Sequence, residues 1–255
     1  MFRHLVVALT LAVGLMAGAH AASAELTIAA ASDLNFAFKE LVSAYEAKTG
    51  QHVRLTLGSS GNFFSQIENG APFDLYFSAD IRYPQLLEEK GLAVSGSLYK
   101  YAVGRIVLWA PKDSKVAVEK GLDVLADPGI RKIAIANPKH APYGRAAVAA
   151  FESAKLYERV KERLVLGENI SQTAQFIESG ACDAGIIALS LALAPSMKAM
   201  GKYYEIPANL HPPLEQGAVI LKRAANPDQA KSFLEFVKSA EGQAIMQRYG
   251  FVLTS

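Results

Sequence analysis

Four short segments carry hydroxyls and small residues where a helix would begin: Ala31-Ser32-Asp33, Gly58-Ser59-Ser60-Gly61, Ala141-Pro142-Tyr143-Gly144 and Asn169-Ile170-Ser171. Each follows an apolar stretch that reads as a strand. The first N–H groups of a helix have no intrahelical acceptor, and its aligned peptide dipoles place roughly +0.5 charge at that end. In open α/β sheets such turns lie beyond the carboxyl ends of the strands, where ligands dock. Four of them converging would present about +2, nominally matched to a dianion, with no lysine or arginine at the centre of any turn. The chemistry this allows is capture by neutral donors. Taken singly, Ser32, Ser60 and Asn169 read first as helix N-caps; a shared site requires the four segments to meet.

Catalytic patterns find little support. Gly58-Ser59-Ser60-Gly61 lacks the glycine two places after the serine that a hydrolase elbow needs. Gly91 to Gly96 has the gap of a P-loop, but Ser97-Leu98 follows where Lys-Ser/Thr is required. His52, His140 and His211 are widely separated, so neither a triad nor a metal cluster can be built from neighbours. Cys182, the sole cysteine, sits in an apolar segment and reads as a small buried hydrophobe. Asp74 and Asp80 flank a strand, where turn and cap roles are the default, and Lys139 and His140 read as a solvated loop.

The elements that must position the four turns alternate. Strands are expected at Glu25 to Ala30, His52 to Leu57, Asp74 to Phe77, Arg105 to Ala110, Lys132 to Ala136, Leu164 to Leu166, Asp183 to Ala188, Tyr203 to Ile206 and Gln216 to Leu221. Between and after them helical spacing predicts helices: from Ser32-Asp33 to Thr49, from the Gly58–Gly61 turn to Asn69, and Pro84 to Lys90. Further helices are expected at Val118 to Ala126, Tyr143 to Ser153, Tyr157 to Arg163, Ile170 to Ser179, Pro227 to Ser239 and Glu241 to Tyr249. Gly50 closes the first helix as a left-handed cap. This alternation argues an α/β fold with mainly parallel sheets.

Composition narrows the class. The chain has 255 residues, 51% hydrophobic and 20% charged, with a net charge of +2, so it is a folded globular protein without a broad electrostatic footprint for nucleic acid. Residues 1–24 read as an export signal: Arg3 and His4, an apolar run from Leu5 to Ala17, then Ala22-Ser23-Ala24 as a small-residue cleavage site. The run is too short for the ~30 Å core of a bilayer, so a cleaved signal and a near-neutral exported protein are expected.

One resemblance covers essentially the whole chain after the signal. Ala29-Ala30-Ala31-Ser32-Asp33-Leu34, Gly58-Ser59-Ser60-Gly61, the stretch Gly70-Ala71-Pro72-Phe73-Asp74 to Ser78-Ala79-Asp80, and Asn137-Pro138 to Ala141-Pro142-Tyr143-Gly144 occur in the order seen in periplasmic molybdate-binding proteins of ABC importers. The ending, Gly242-Gln243-Ala244-Ile245 to Tyr249-Gly250-Phe251, is similar to that family too. The resemblance implies a two-lobed periplasmic binding protein of type II. Each lobe would be a mainly parallel mixed sheet flanked by helices, with the ligand in the cleft between. One lobe would hold residues 25–104 and 216–255, the other 105–215.

It also implies the site. Ser32 and Ser60 would each give a hydroxyl and an N–H, Tyr143 and Ile170 would give N–H groups from the second lobe, and Asp33 another amide. The Asp33 carboxylate would repel a dianion, so it is expected to cap or to face solvent. Some members use a tyrosine hydroxyl where this chain has Ala188, and the Tyr143 hydroxyl is expected to compensate. Molybdate or tungstate would be held as an oxyanion without direct protein–metal bonds, cofactor or catalysis. A monomer would pass it to a membrane permease with its ATPase, with no role for nucleic acid. The alternatives are a binding protein for sulfate, phosphate or ferric ion, the last suggested by Tyr203-Tyr204, and an exported hydrolase with Ser60 as nucleophile.

Overall fold

Alternating strands and helices collect into two five-stranded sheets in the computed structural model, which describes residues 25–253. The export signal expected at residues 1–24 lies outside the described residues. The first sheet has the order β2-β1-β3-β10-β4, with β1 (Leu26–Ala31), β2 (Val53–Gly58), β3 (Leu75–Ser78), β4 (Tyr99–Gly104) and β10 (Leu214–Ile220). The second has the order β7-β6-β8-β5-β9, with β5 (Ile106–Pro111), β6 (Ile133–Ala136), β7 (Leu164–Gly167), β8 (Ala184–Ala188) and β9 (Gly201–Glu205). In both, pairing is parallel on one side and antiparallel around the strand next to the edge, so only β10 and β5 run against their neighbours. These opposed strands are the ones the chain enters on crossing from one sheet to the other, after Gly104 and again after Ile206. Two lobes with one plan result, joined by two crossings.

The first sheet is flanked by α1 (Asn35–Thr49), α2 (Ser60–Glu68), α3 (Arg82–Glu89), α9 (Pro227–Lys238) and α10 (Ala240–Arg248). Phe38, Leu41 and Tyr45 form the buried stripe of α1, and Phe38 meets Phe77 edge to face with centroids 4.8 Å apart. Such ring pairs add about 0.5–1.5 kcal/mol beyond burial. Gly50, at φ 69°, ends the helix as expected. The second sheet carries α4 (Pro142–Ser153), α5 (Tyr157–Val160), α6 (Ile170–Glu178), α7 (Leu189–Ala192) and α8 (Pro195–Met200). All residues of β6 and β8 are buried, as expected of strands covered on both faces.

Several elements depart from the sequence reading. The helix expected over Val118 to Ala126 is two 3-10 turns, Val118–Lys120 and Leu122–Ala126, divided at Gly121, whose φ of 78° no helix accommodates. The Tyr157 to Arg163 helix likewise finishes as a 3-10 turn from Lys161. Strand β4 and helices α7 and α8 have no counterpart in the pattern. β4 mixes buried and half-exposed positions without clean alternation, and the two helices are shorter than hydrophobic periodicity can register.

Candidate functional site

The four turns meet. One small cavity between the lobes, about 10 Å³, is lined by Ala31, Ser32 and Asp33, by Gly58, Ser59 and Ser60, by Ala141, Pro142 and Tyr143, and by Ile170, with Ala79 closing one wall. The five residues singled out in the sequence, Ser32, Asp33, Ser60, Tyr143 and Ile170, all line it, and none is more than 3% exposed. Two larger clefts, of about 430 and 450 Å³, open elsewhere on the surface and include none of these five residues.

The turns that open α2, α4 and α6 leave their first amide donors without a helix acceptor. Pro142 opens α4 without an N–H, which makes Tyr143 the first amide donor of that helix. Ser60 and Ile170 stand at the first positions of α2 and α6, whose N–H groups no helix carbonyl reaches. Their neighbours are spoken for: Gly61 N–H donates to His140 O at 2.9 Å, Ser171 N–H to Ser32 Oγ at 3.3 Å, and Gln172 N–H to Asn169 Oδ1 at 3.0 Å.

Of the three residues that read singly as N-caps, only Asn169 is one. The cap position of α2 belongs to Ser59, and Ser60 Oγ instead accepts the Ala79 N–H at 3.0 Å, leaving its hydroxyl hydrogen free. Ser32 Oγ caps nothing in its own lobe. It donates to Asn169 Oδ1 at 3.2 Å and accepts from Ser171 N–H, both on the opposite lobe.

Asp33 departs from expectation. Its carboxylate neither faces solvent nor caps a helix: it is 1% exposed, and its Oδ2 accepts from Tyr143 Oη at 3.0 Å and from Gln216 Nε2 at 2.8 Å. Burial raises its pKa to about 6, against the hydrogen bonds from Gln216 and Tyr143 that favour the charged form. The reason for the miss is tertiary, since both donors arrive from distant parts of the chain. Burial, and then the charge of Asp33, hold the Tyr143 phenol well above its ordinary range. The Tyr143 hydroxyl is thus engaged with Asp33 and Gln216. Ala188 is buried and is not among the residues lining the cavity.

Sequence reasoning missed the groups that hold the lobes together around the cavity. His140 Nδ1 lies 2.9 Å from Ser59 Oγ, Asn62 Nδ2 donates to Glu168 Oε1 at 2.5 Å, and Arg145 pairs with Asp80 at 2.5 Å, all across the cleft. Ser190 Oγ donates to Asp33 O at 2.7 Å. Gln216 gave no signal beyond being a polar residue opening a predicted strand. A bulge between Gln216 and Gly217 interrupts the pairing of β10 with β4 there, the kind of irregularity that re-aims a side chain.

The hydrolase alternative finds no machinery at Ser60, whose Oγ is held by an amide rather than by a base. Tyr203 and Tyr204 lie on β9 and are not among the residues lining the cavity.

Two lobes of one plan, joined by two crossings and closed on a small cavity of neutral donors, define a substrate-binding protein of the periplasmic type. The chain belongs to the family of bacterial extracellular solute-binding proteins, which it matches over residues 26–252. Within that family it is similar to the molybdate-binding protein ModA of Rhodobacter capsulatus, 38% identical over 91% of this chain and 90% of the relative. It is 37% identical to ModA of Azotobacter vinelandii, over 95% of each. The solved structure of an Azotobacter vinelandii periplasmic molybdate-binding protein superposes with a TM-score of 0.86 at 35% identity, covering 91% of this chain and all of that one. These relatives are molybdate-binding proteins, and this chain is a solute-binding protein, not an enzyme.

Proposed function

We propose that this protein captures molybdate, and tungstate with it, in the periplasm and delivers the anion to the membrane permease of an ABC importer. The observation that carries the reading is the convergence of the four turns on one cavity lined by neutral hydroxyl and amide donors. In this reading the oxyanion receives the hydroxyls and N–H groups of Ser32 and Ser60 from one lobe. The N–H groups of Tyr143 and Ile170 reach it from the other lobe, and that of Asp33 completes the set. Neutral donors at helix N-termini suit a compact dianion, because the dipoles supply the field without a counter-charge that would have to be desolvated. Oxygen-to-donor contacts hold the cargo throughout, and no protein atom bonds the metal.

The two lobes are close to the expected residues 25–104 with 216–255 and residues 105–215, sheet membership favouring a second boundary two residues earlier, before Leu214 where β10 begins. Hinge motion at the crossings opens the cleft, and the closed form, bridged as the structure shows, is what docks on the permease. Residues 1–24 act as the cleaved export signal, and the mature protein works as a monomer.

The test is calorimetric titration of the mature, anion-free protein with molybdate, tungstate, sulfate and phosphate. One-to-one binding of the first two alone supports the reading. Binding of sulfate or phosphate in their place keeps the site and changes the cargo, and no heat from any of them defeats it.

A further inference from the structure

Two buried oxygen atoms beside the cavity lack hydrogen-bond partners: Asp33 Oδ1 and Gln216 Oε1. Their own partner atoms are fully committed. Tyr143 Oη donates to Asp33 Oδ2 and accepts from Gln216 Nε2 at 3.0 Å, while Gln216 Nε2 also donates to Asp33 Oδ2. Counted over these three side chains, acceptors outnumber hydrogens, the backbone N–H groups of Asp33 and Leu34 being the carboxyl's further donors; an unpaired acceptor there costs about 1–3 kcal/mol. The groups that meet the carboxyl are neutral. Tyr143 comes from α4 and Gln216 from β10, and Ser190 of α7 donates to the Asp33 carbonyl. Tyr101 of β4 and Tyr76 of β3 stand close enough to couple with it or with each other, and both are phenols held protonated by burial.

Among the described residues, no ion pair involves the Asp33 carboxyl. On α1, Lys39 stands over the Phe36 ring, Glu40 binds Arg248 and Tyr249, and Glu46 accepts from Val53 N–H. Arg54 of β2 pairs with Glu25, and Lys100 of β4 pairs with Glu215. Asn169 and Ser171 at the start of α6 are neutral and bond Ser32. Around the cleft Arg145 is taken by Asp80, and His140 by Ser59 with Glu168 3.7 Å away.

We propose that Asp33 takes up one proton from solvent when the dianion enters, so that the orphaned carboxyl oxygen becomes a donor and a buried negative charge is removed from beside the cargo. The carboxyl O–H bond forms as the bond holding that proton on the buffer acid breaks, so the buffer supplies the proton that is counted. Asp33 is thereby a specificity-determining residue: its carboxyl makes capture of a dianion proton-linked, and it disfavours the closed, loaded state as pH rises. Burial already raises the carboxyl's pKa to about 6, and a neighbouring dianion pushes it further in the same direction. The proposal rests on the molybdate reading above.

The test is titration of the mature protein with sodium molybdate near pH 7.5 in two buffers of different ionisation enthalpy, whose difference in heat counts the protons taken up. The expected result is about one proton per anion, and a Kd that weakens up to about tenfold per pH unit above pH 7. In Asp33→Asn the uptake disappears and the pH dependence flattens. Asparagine brings its own N–H donors, so this variant binds more tightly than the parent at pH 8. Molybdate binding by the parent without proton uptake overturns the proposal and leaves the molybdate reading intact. Uptake that persists in Asp33→Asn overturns it too, and assigns the proton to another group. No binding of molybdate by the parent at any pH overturns both.

Discussion

Tyr143 donates from one lobe to Asp33 of the other at 3.0 Å, joining residues 110 apart in sequence through a fully buried hydrogen bond. The contact lies beside a crossing between the lobes. A Cβ placed on Gly104, the last residue before the chain enters the second sheet, would collide with the Tyr143 hydroxyl and with Gln216 Nε2. Glycine at 104 thus leaves the space in which the two lobes meet through these side chains.

Tyr143→Phe keeps the ring and the amide and removes only the hydroxyl that bridges the lobes. Loss of a buried bond of this kind costs about 1–2 kcal/mol, all of it charged to the closed form. Molybdate affinity is expected to fall about 5- to 30-fold, with the thermal unfolding of the anion-free protein little changed. Calorimetry and a melting curve on the same preparation check both halves.

Two buried carboxyls give the stability of the closed form opposite pH limbs. The pKa of Asp33 is raised to about 6 from 3.8. Its contribution is therefore complete below about pH 4 and is lost as pH rises through about 6, a change of about 3 kcal/mol. Burial works against ionisation of Asp74 as well, but hydrogen bonds from Thr27 and Asn226 outweigh it and hold its pKa below the ordinary value. That contribution is present above the usual carboxylate range and is lost as pH falls through the lowered value. Denaturant midpoints in Asp33→Asn are expected to lose the decline between about pH 4 and 6, and those in Asp74→Asn the decline on the acid side.

Ser60→Ala removes a hydroxyl whose oxygen holds the Ala79 N–H at 3.0 Å. An unpaired buried amide costs about 1–3 kcal/mol in stability. The hydroxyl hydrogen, free to donate in the parent, is lost with it, so molybdate binding is expected to weaken at least about tenfold. Undiminished binding in Ser60→Ala would remove this hydroxyl from the site.

The helix starts were legible because they are local. Glycine, proline and hydroxyl residues after an apolar strand mark Ser60, Tyr143 and Ile170 with nothing else known, and the same logic found Asn169 as a cap. Their meeting was not legible in any one of them; it followed from the family resemblance and is a matter of topology, since two of the four turns belong to each lobe. Asp33 shows where local logic fails. Beside a helix start its carboxyl reads as a cap or a solvated group, yet Tyr143 and Gln216 reach it from 110 and 183 residues away. Strand β4 escaped notice for a related reason: its mixed burial reflects which neighbours cover it, which its six residues do not encode.

Gly61→Ala offers a test of closure that leaves each lobe intact. Gly61 lies in the first turn of α2, and its N–H donates across the cleft to His140 O. A Cβ there would come within 2.7 Å of that carbonyl oxygen, 2.9 Å of Tyr83 Oη and 3.0 Å of His140 Cα. Two of the three obstacles are backbone of the opposite lobe, which cannot turn aside as a side chain would. Within its own helix alanine is the better residue by about 1 kcal/mol, so the anion-free protein is expected to melt no lower than the parent. In the closed form the lobes must shift apart by a few tenths of an ångström, at about 1–3 kcal/mol, and the Gly61 to His140 bond lengthens with them. Molybdate affinity is then expected to fall about 5- to 150-fold by calorimetry. Parent-like affinity would mean that the lobes close without bringing Gly61 against His140.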